Sequence, residues 1–148
     1  MPTPPENFAE RLVAGLPDAI IHANAEGHIQ VWNHGAERIF GFTEAEAIGQ
    51  SLDVIIPQGL RDRHWTGFHA TMSTGQSRYG AGDLLSVPAL RKDGTRISVE
   101  FIIVPFTDPS GRMEGICAVL RDATAKFEEI RALKKQLAAL ATAPHGVR

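Results

Sequence analysis

The sequence predicts an α+β domain: a five-stranded antiparallel sheet with several helices between its second and third strands, an amphipathic helix before it and a longer helix after it. Three observations predict it. Two short apolar runs, 19–24 and 29–32, flank the turn-prone Ala25-Glu26-Gly27. Three more, 84–90, 97–106 and 113–120, are divided by Lys92-Asp93-Gly94 and Asp108-Pro109-Ser110-Gly111. Between the two groups, apolar residues recur at helical spacing. The length of 148 residues falls within the usual span of about 100–200 residues per domain, so one domain is expected.

Each element has its own signal. Phe8, Leu12 and Leu16 recur near helical spacing behind Glu6 and Glu10 and stop at Pro17, which predicts a cap helix within a leader segment 1–16. The runs 19–24 and 29–32 make the first hairpin. After Asn33, residues Ala36, Ile39 and Phe40 follow a helical period, Gly41 interrupts it, and Thr43 with Glu46 has the form of a capping box, so two short helices follow. Beyond a connector closed by Pro57, Leu60, His64, Phe68 and Met72 share one face of a longer helix over 58–74, stopped by Gly75. Gly80 and Gly82 loosen the chain before a three-stranded meander. Past Asp122, Ile130, Leu133, Leu137 and Leu140 fall at coiled-coil a and d spacing among Glu128, Glu129, Lys134 and Lys135, predicting a coiled-coil helix over 123–143 and a tail 144–148. Two heptads are too few to be stable alone, so this helix pairs or docks.

Composition narrows the function classes. Fifteen basic against seventeen acidic residues, a net charge of −2, leave no cationic excess for a nucleic-acid backbone or an anionic bilayer. The proline-rich start lacks the basic-then-apolar order of a secretory signal, and no run of about 18 apolar residues occurs. A cytoplasmic protein with no nucleic-acid and no membrane partner is therefore expected. Cys117, between Ile116 and Ala118, is expected as a small buried hydrophobe. No Gly-rich phosphate loop, nucleophile elbow or zinc-type Cys/His cluster is present, and no nucleophile–base pair can be assembled, so an enzyme is not expected.

The order of elements and the local motifs together resemble the PAS sensor family over about residues 16–126. Trp32-Asn33 with Ala36, then Gly41-Phe42 and Gly49, is similar to that family's asparagine-to-glycine segment. Arg91-Lys92-Asp93-Gly94 is similar to its basic-Asp-Gly turn, and Arg121-Asp122-Ala123-Thr124 to the junction at the base of its exit helix. Each has a physical reason. Asn33 can accept a free backbone N–H and cap the helix starting at His34, Gly41 and Gly94 suit turns with positive φ, and Asp122 can cap the exit helix. The resemblance implies a PAS fold with helices on one face of the sheet, a sensor domain over 17–122, and a pocket roofed by the helix 58–74.

His64 is the candidate for chemistry in that pocket. An imidazole projecting from an apolar helix face, with Gly67 and Thr71 adding little bulk beside it, suits a five-coordinate haem b site, which needs one neutral imidazole and an apolar slot. The segment Pro57–His64, followed by Thr74-Gly75-Gln76, also resembles the oxygen-sensing haem PAS domains of the FixL type. That resemblance implies haem b as cofactor with His64 as the iron ligand and Phe68 on the same helix face. It further implies Arg78 near a haem propionate, Phe101 and Ile103 on the apolar distal wall, and Tyr79 near that wall. The distal arginine of that family has no equivalent, because the matching stretch reads Asp83-Leu84-Leu85. An apolar distal side suits CO or NO and gives O2 no hydrogen-bond donor. The other reading of His64 is a histidine packed beneath the sheet. His69, five residues on and roughly 140° around the helix, cannot share a metal with His64.

The expected function is thus signal sensing, with haem b and a diatomic gas as the signal and a dimeric C-terminal helix as the output. A homodimer is expected, acting on a downstream signalling protein such as a histidine kinase, a cyclase or a regulator. The competing reading is a dimerisation or interaction module that is cofactor-free or holds another small ligand.

Overall fold

The computed structural model describes residues 1–76 and 82–142. In chain order it runs α1 (Phe8–Gly15), β1 (Ala19–Asn24), β2 (Ile29–Trp32), α2 (His34–Phe40), α3 (Glu44–Ala47), two 3-10 turns (Leu52–Ile55 and Gln58–Leu60), α4 (Arg61–Thr74), β3 (Leu85–Leu90), β4 (Arg96–Thr107), β5 (Met113–Asp122) and α5 (Thr124–Thr142). The strands form one sheet in the order β2-β1-β5-β4-β3, with every neighbouring pair antiparallel. The last strand therefore lies in the middle, and β5 pairs with both β1 and β4.

Strand alternation decides which face is covered. Ile21 and Ala23 of β1, Val99 of β4 and Ile116 and Leu120 of β5 point inward and are buried. Ile21, Val99 and Leu120 pack with Trp32 of β2 and with Ala36, Ile39 and Phe40 of α2, while Ala23 and Ile116 pack with Phe68 of α4. The opposite pleat leaves Val104 and Phe106 exposed. Cys117 is buried on β5, and desolvation there pushes its thiol pKa up, which suits a packing residue.

The motif residues act as local physics predicts, and in two cases do more. Asn33 caps α2 by accepting from Ala36 N at 3.0 Å, but the same oxygen also accepts from Ile20 N at 2.8 Å. Its amide donates to the carbonyls of Val13 and Asp18 at 2.8 and 3.0 Å, so one buried side chain joins α1, β1 and α2. Gly35 makes this approach possible: a Cβ there would sit 2.1 Å from the Asp18 carbonyl oxygen. The capping box of α3 is present, and Lys92, from the β3–β4 turn, binds the Glu46 carboxylate. Lys92 and the Thr43 backbone hold that carboxyl down at about 2.

One boundary differs from the sequence expectation. The long helix begins at Arg61, because Pro57 leads into a separate 3-10 turn that takes Leu60 out of the helical face. At the exit junction Asp122 accepts from Thr124 N and from its hydroxyl at 2.9 and 2.6 Å, and Thr124 Oγ1 in turn accepts from Ser98 N at 3.0 Å. The start of α5 is thereby fastened to β4. No helix among the described residues is long and apolar enough to cross a membrane.

Candidate functional site

The inner face of the sheet does not meet the helices everywhere. A cavity of about 120 Å³ remains between β1, β3, β4, β5, the 52–55 turn and α4. Its floor is made by small residues set between large ones: Ala23 two places after Ile21, and Ala118 between Ile116 and Leu120. His64 and Phe68 reach it from α4, and Phe101 and Ile103 from β4. The lining is otherwise aliphatic, so the imidazole is its one polar group.

His64 is half-buried, and its Nδ1 is fully buried without a hydrogen-bond partner. Such an orphan is costly, about 1–3 kcal/mol for a neutral group, and calls for an explanation beyond packing. Burial holds the imidazole below its ordinary pKa of 6.5, opposed by the nearby Asp53 carboxylate and assisted by His69. The ring is therefore neutral at pH 7, the form that can donate a lone pair to a metal. Its edge meets Trp65 at a ring separation of 4.6 Å, and Phe68 lies 6.0 Å away.

This shift has a consequence for stability. The folded state binds fewer protons than the unfolded chain, so the contribution of His64 is complete above pH 6.5 and is lost as pH falls below that value toward the folded pKa. His22, whose ring sits edge-on to Phe106 at 5.0 Å and whose pKa is lowered by burial against the opposing charge of Glu114, adds in the same direction. Urea unfolding is expected to show falling stability between about pH 7 and pH 5. The fall should be shallower in His64→Phe, and an unchanged slope in that variant would exclude His64 as a source.

A clamp that the sequence reasoning missed fixes α4 over the cavity. Trp65 donates from Nε1 to Asp53 Oδ1 at 2.7 Å and lies against Gly27, where a Cβ would come within 2.4 Å of the indole. Arg61 donates to the carbonyls of Ile56 and Asp53 at 3.1 and 3.3 Å. The only advance signal was Gly27 itself, a turn glycine with φ of 84°.

Of the six sequence-stated site residues, His64, Phe68, Phe101 and Ile103 come together at the cavity, while Arg78 and Tyr79 lie outside the described residues. Gly67 does not make room in the cavity as its spacing suggested. It is exposed, with nothing within 4 Å of a built Cβ. His69 is exposed, and among the described residues no three His, Cys, Asp or Glu side chains are placed to hold a metal ion.

For haem the donor fits: one neutral imidazole with an unsatisfied nitrogen in an apolar wall. The present volume lies below the roughly 300 Å³ at which ligand pockets begin, so a macrocycle enters only as α4 and the sheet part.

The family model described as the PAS fold matches residues 7–123. This chain belongs to the PAS family. Sensor protein FixL of Bradyrhizobium diazoefficiens is 32% identical to this PAS domain over 99 residues, which are 66% of this chain and 19% of that protein. Oxygen sensor protein DosP of Escherichia coli is 26% identical over 106 residues, 72% of this chain and 13% of that protein. An uncharacterized protein of Azorhizobium caulinodans is 34% identical over 119 residues, 80% of this chain and 16% of that protein. The chain therefore spans less than a fifth of each of these relatives. Among solved structures, the PAS domain of a Colwellia psychrerythraea protein matches with a TM-score of 0.68 at 22% identity, covering 80% of this chain and 96% of that one. As a PAS domain, the chain is a signal-sensing module.

Proposed function

We propose that this PAS domain binds haem b through His64 and senses a diatomic gas, O2, CO or NO, with the signal leaving through a homodimeric α5. The observation that carries the reading is the neutral, half-buried imidazole with an unsatisfied Nδ1, the one polar group lining an apolar cavity. When bound, the haem iron supplies a coordination position for the gas. Phe68, Phe101 and Ile103 supply apolar walls that exclude water. By resemblance to the FixL type, Arg78 would hold a haem propionate, as a guanidinium suits a carboxylate, and Tyr79 would add to the apolar wall. An apolar distal side favours CO and NO over O2. The likeness to proteins named sensor protein FixL and oxygen sensor protein DosP supports the assignment.

Entry of the ligand moves α4 against its clamp, and β5 carries the change to the Asp122–Thr124 junction and so to α5. The downstream partner is a signalling protein such as a histidine kinase, a cyclase or a regulator. The cavity volume favours a second reading, a dimerisation module that is cofactor-free or holds a more compact ligand.

Visible spectra of protein produced with haem supplied decide between the two. A Soret band in the wild type, lost in His64→Ala and kept in His69→Ala, is the expected result. A colourless wild type, or a band that survives in His64→Ala, overturns the haem assignment.

A further inference from the structure

Helix α5 leaves Leu133, Leu137 and Leu140 exposed and turns a different flank to the sheet. Phe127, Ile130, Arg131 and Lys134 share that flank at helical spacing. With the outer pleat of β3 and β4 they enclose a groove of about 350 Å³, larger than the inner cavity of about 120 Å³ and within the roughly 300–1,000 Å³ of small-ligand sites. Val87 is the one residue that lines both spaces, so the groove is a site apart from the one that holds His64.

The lining combines two chemistries. Phe127, Ile130, Val87 and Pro88 supply apolar surface. Arg131 and Lys134 supply two cations, and neither takes part in an ion pair among the described residues. No carboxylate among the described residues lines the groove, and Glu100, opposite Ser86 on β4, is taken up by Lys126 at 2.7 Å. The two positive charges are therefore left for an anion from outside.

Edge-strand geometry restricts what can enter. Ser98 turns both of its main-chain groups to the exit junction: its N–H donates to Thr124 Oγ1 at 3.0 Å, and its carbonyl accepts from Ala123 N at 2.8 Å. Pro88 and Ser98 thus form a non-hydrogen-bonded pair of the antiparallel ladder, as a proline requires, and by alternation the N–H of Ser86 also faces the free edge of β3. A peptide strand laid along that edge would find no N–H at Pro88, which blocks strand addition. The sheet side of the groove offers instead the Ser86 N–H and the hydroxyls of Ser86 and Ser98, enough for one compact acceptor group.

We propose that this groove is a second ligand site, which takes a small amphipathic carboxylate. Arg131 and Lys134 hold the carboxylate, the guanidinium with two parallel N–H donors, and the apolar body lies over Phe127, Ile130 and Pro88. The occupant bridges α5 and the edge strand, and so bears on how the exit helix sits. The inference rests neither on haem nor on dimerisation.

An amide NMR titration of the haem-free protein with 2-naphthoate tests it. Saturable shifts are expected at Ser86, Ser98, Phe127 and Ile130. Arg131→Gln with Lys134→Gln, both exposed positions, should weaken binding roughly tenfold, and the neutral 2-naphthylmethanol should bind the wild type roughly tenfold more weakly than the acid. Arg112→Gln with Lys135→Gln removes the same charge away from the groove and should leave affinity unchanged. Shifts that do not saturate, shifts confined to inner-cavity residues such as Phe101 and Ala118, or equal weakening by the two double variants overturn the proposal. His64→Ala should bind 2-naphthoate as the wild type does, so failure here leaves the haem assignment standing, and the reverse also holds.

Discussion

Asn33→Ala is expected to lower unfolding free energy by roughly 4 kcal/mol, a large share of the 5–15 kcal/mol that holds a typical domain together. The side chain is only 5% exposed and makes four hydrogen bonds of 3.0 Å or shorter. Loss of the α2 cap alone costs about 1 kcal/mol. The greater part comes from what is left behind, since the Ile20 N–H and the Val13 and Asp18 carbonyls lose a partner supplied from elsewhere in the chain, at about 1–3 kcal/mol for each group that stays buried. Asn33→Asp separates the two contributions. It keeps the oxygen that accepts from Ala36 and Ile20 but loses both donations and sets a carboxylate against carbonyl oxygens. Urea denaturation should therefore place Asn33→Asp below the wild type, with α1 released from the domain and open to proteolysis. If Asn33→Ala lost only about 1 kcal/mol, Asn33 would be a helix cap and nothing more.

Ala118→Leu is expected to abolish ligand uptake while leaving the fold intact or more stable. Ala118 lies on the floor of the cavity on the central strand, and its side chain can grow only into the space that a ligand would occupy. Filling an apolar void of about 120 Å³ recovers contacts worth up to roughly 3 kcal/mol, from which strain in the new side chain subtracts. Thermal melts with haem supplied separate the outcomes. The wild type should gain stability from bound ligand by mass action, and Ala118→Leu should not respond to it. A variant that melts several degrees below the wild type would mean that the space is closed and well packed in solution, which would remove the sensor cavity from the account.

Much of the fold could be read in advance because it rests on local rules. The turn glycines at 27, 41 and 94 adopt positive φ, and the Thr43–Glu46 capping box forms. The helix face carrying His64 and Phe68 followed from a four-residue period, which depends only on helix geometry. That period also placed Leu60 on the same face, and there it failed, because Pro57 breaks the chain into a 3-10 turn first.

The candidate site was legible only as a list of residues. Phe101 and Ile103 alternate along one strand, but that they share a cavity with His64 depends on β5 lying between β1 and β4, a pairing between segments almost one hundred residues apart. Ala118, Trp65 and Asp53 were missed for the same reason. A small residue in a strand leaves a void only when nothing opposite fills it, and a tryptophan becomes a clamp only when a glycine turn and a carboxylate arrive beneath it.

By itself the sequence determined the element order and the caps and turns, since each depends on residues within a few positions of one another. Tertiary structure alone decided that Nδ1 of His64 is buried and unpaired, that a cavity remains beside the ring, and that the leucines of α5 stay uncovered. Desolvation and empty volume are properties of how distant segments fail to meet, and no local spacing encodes them.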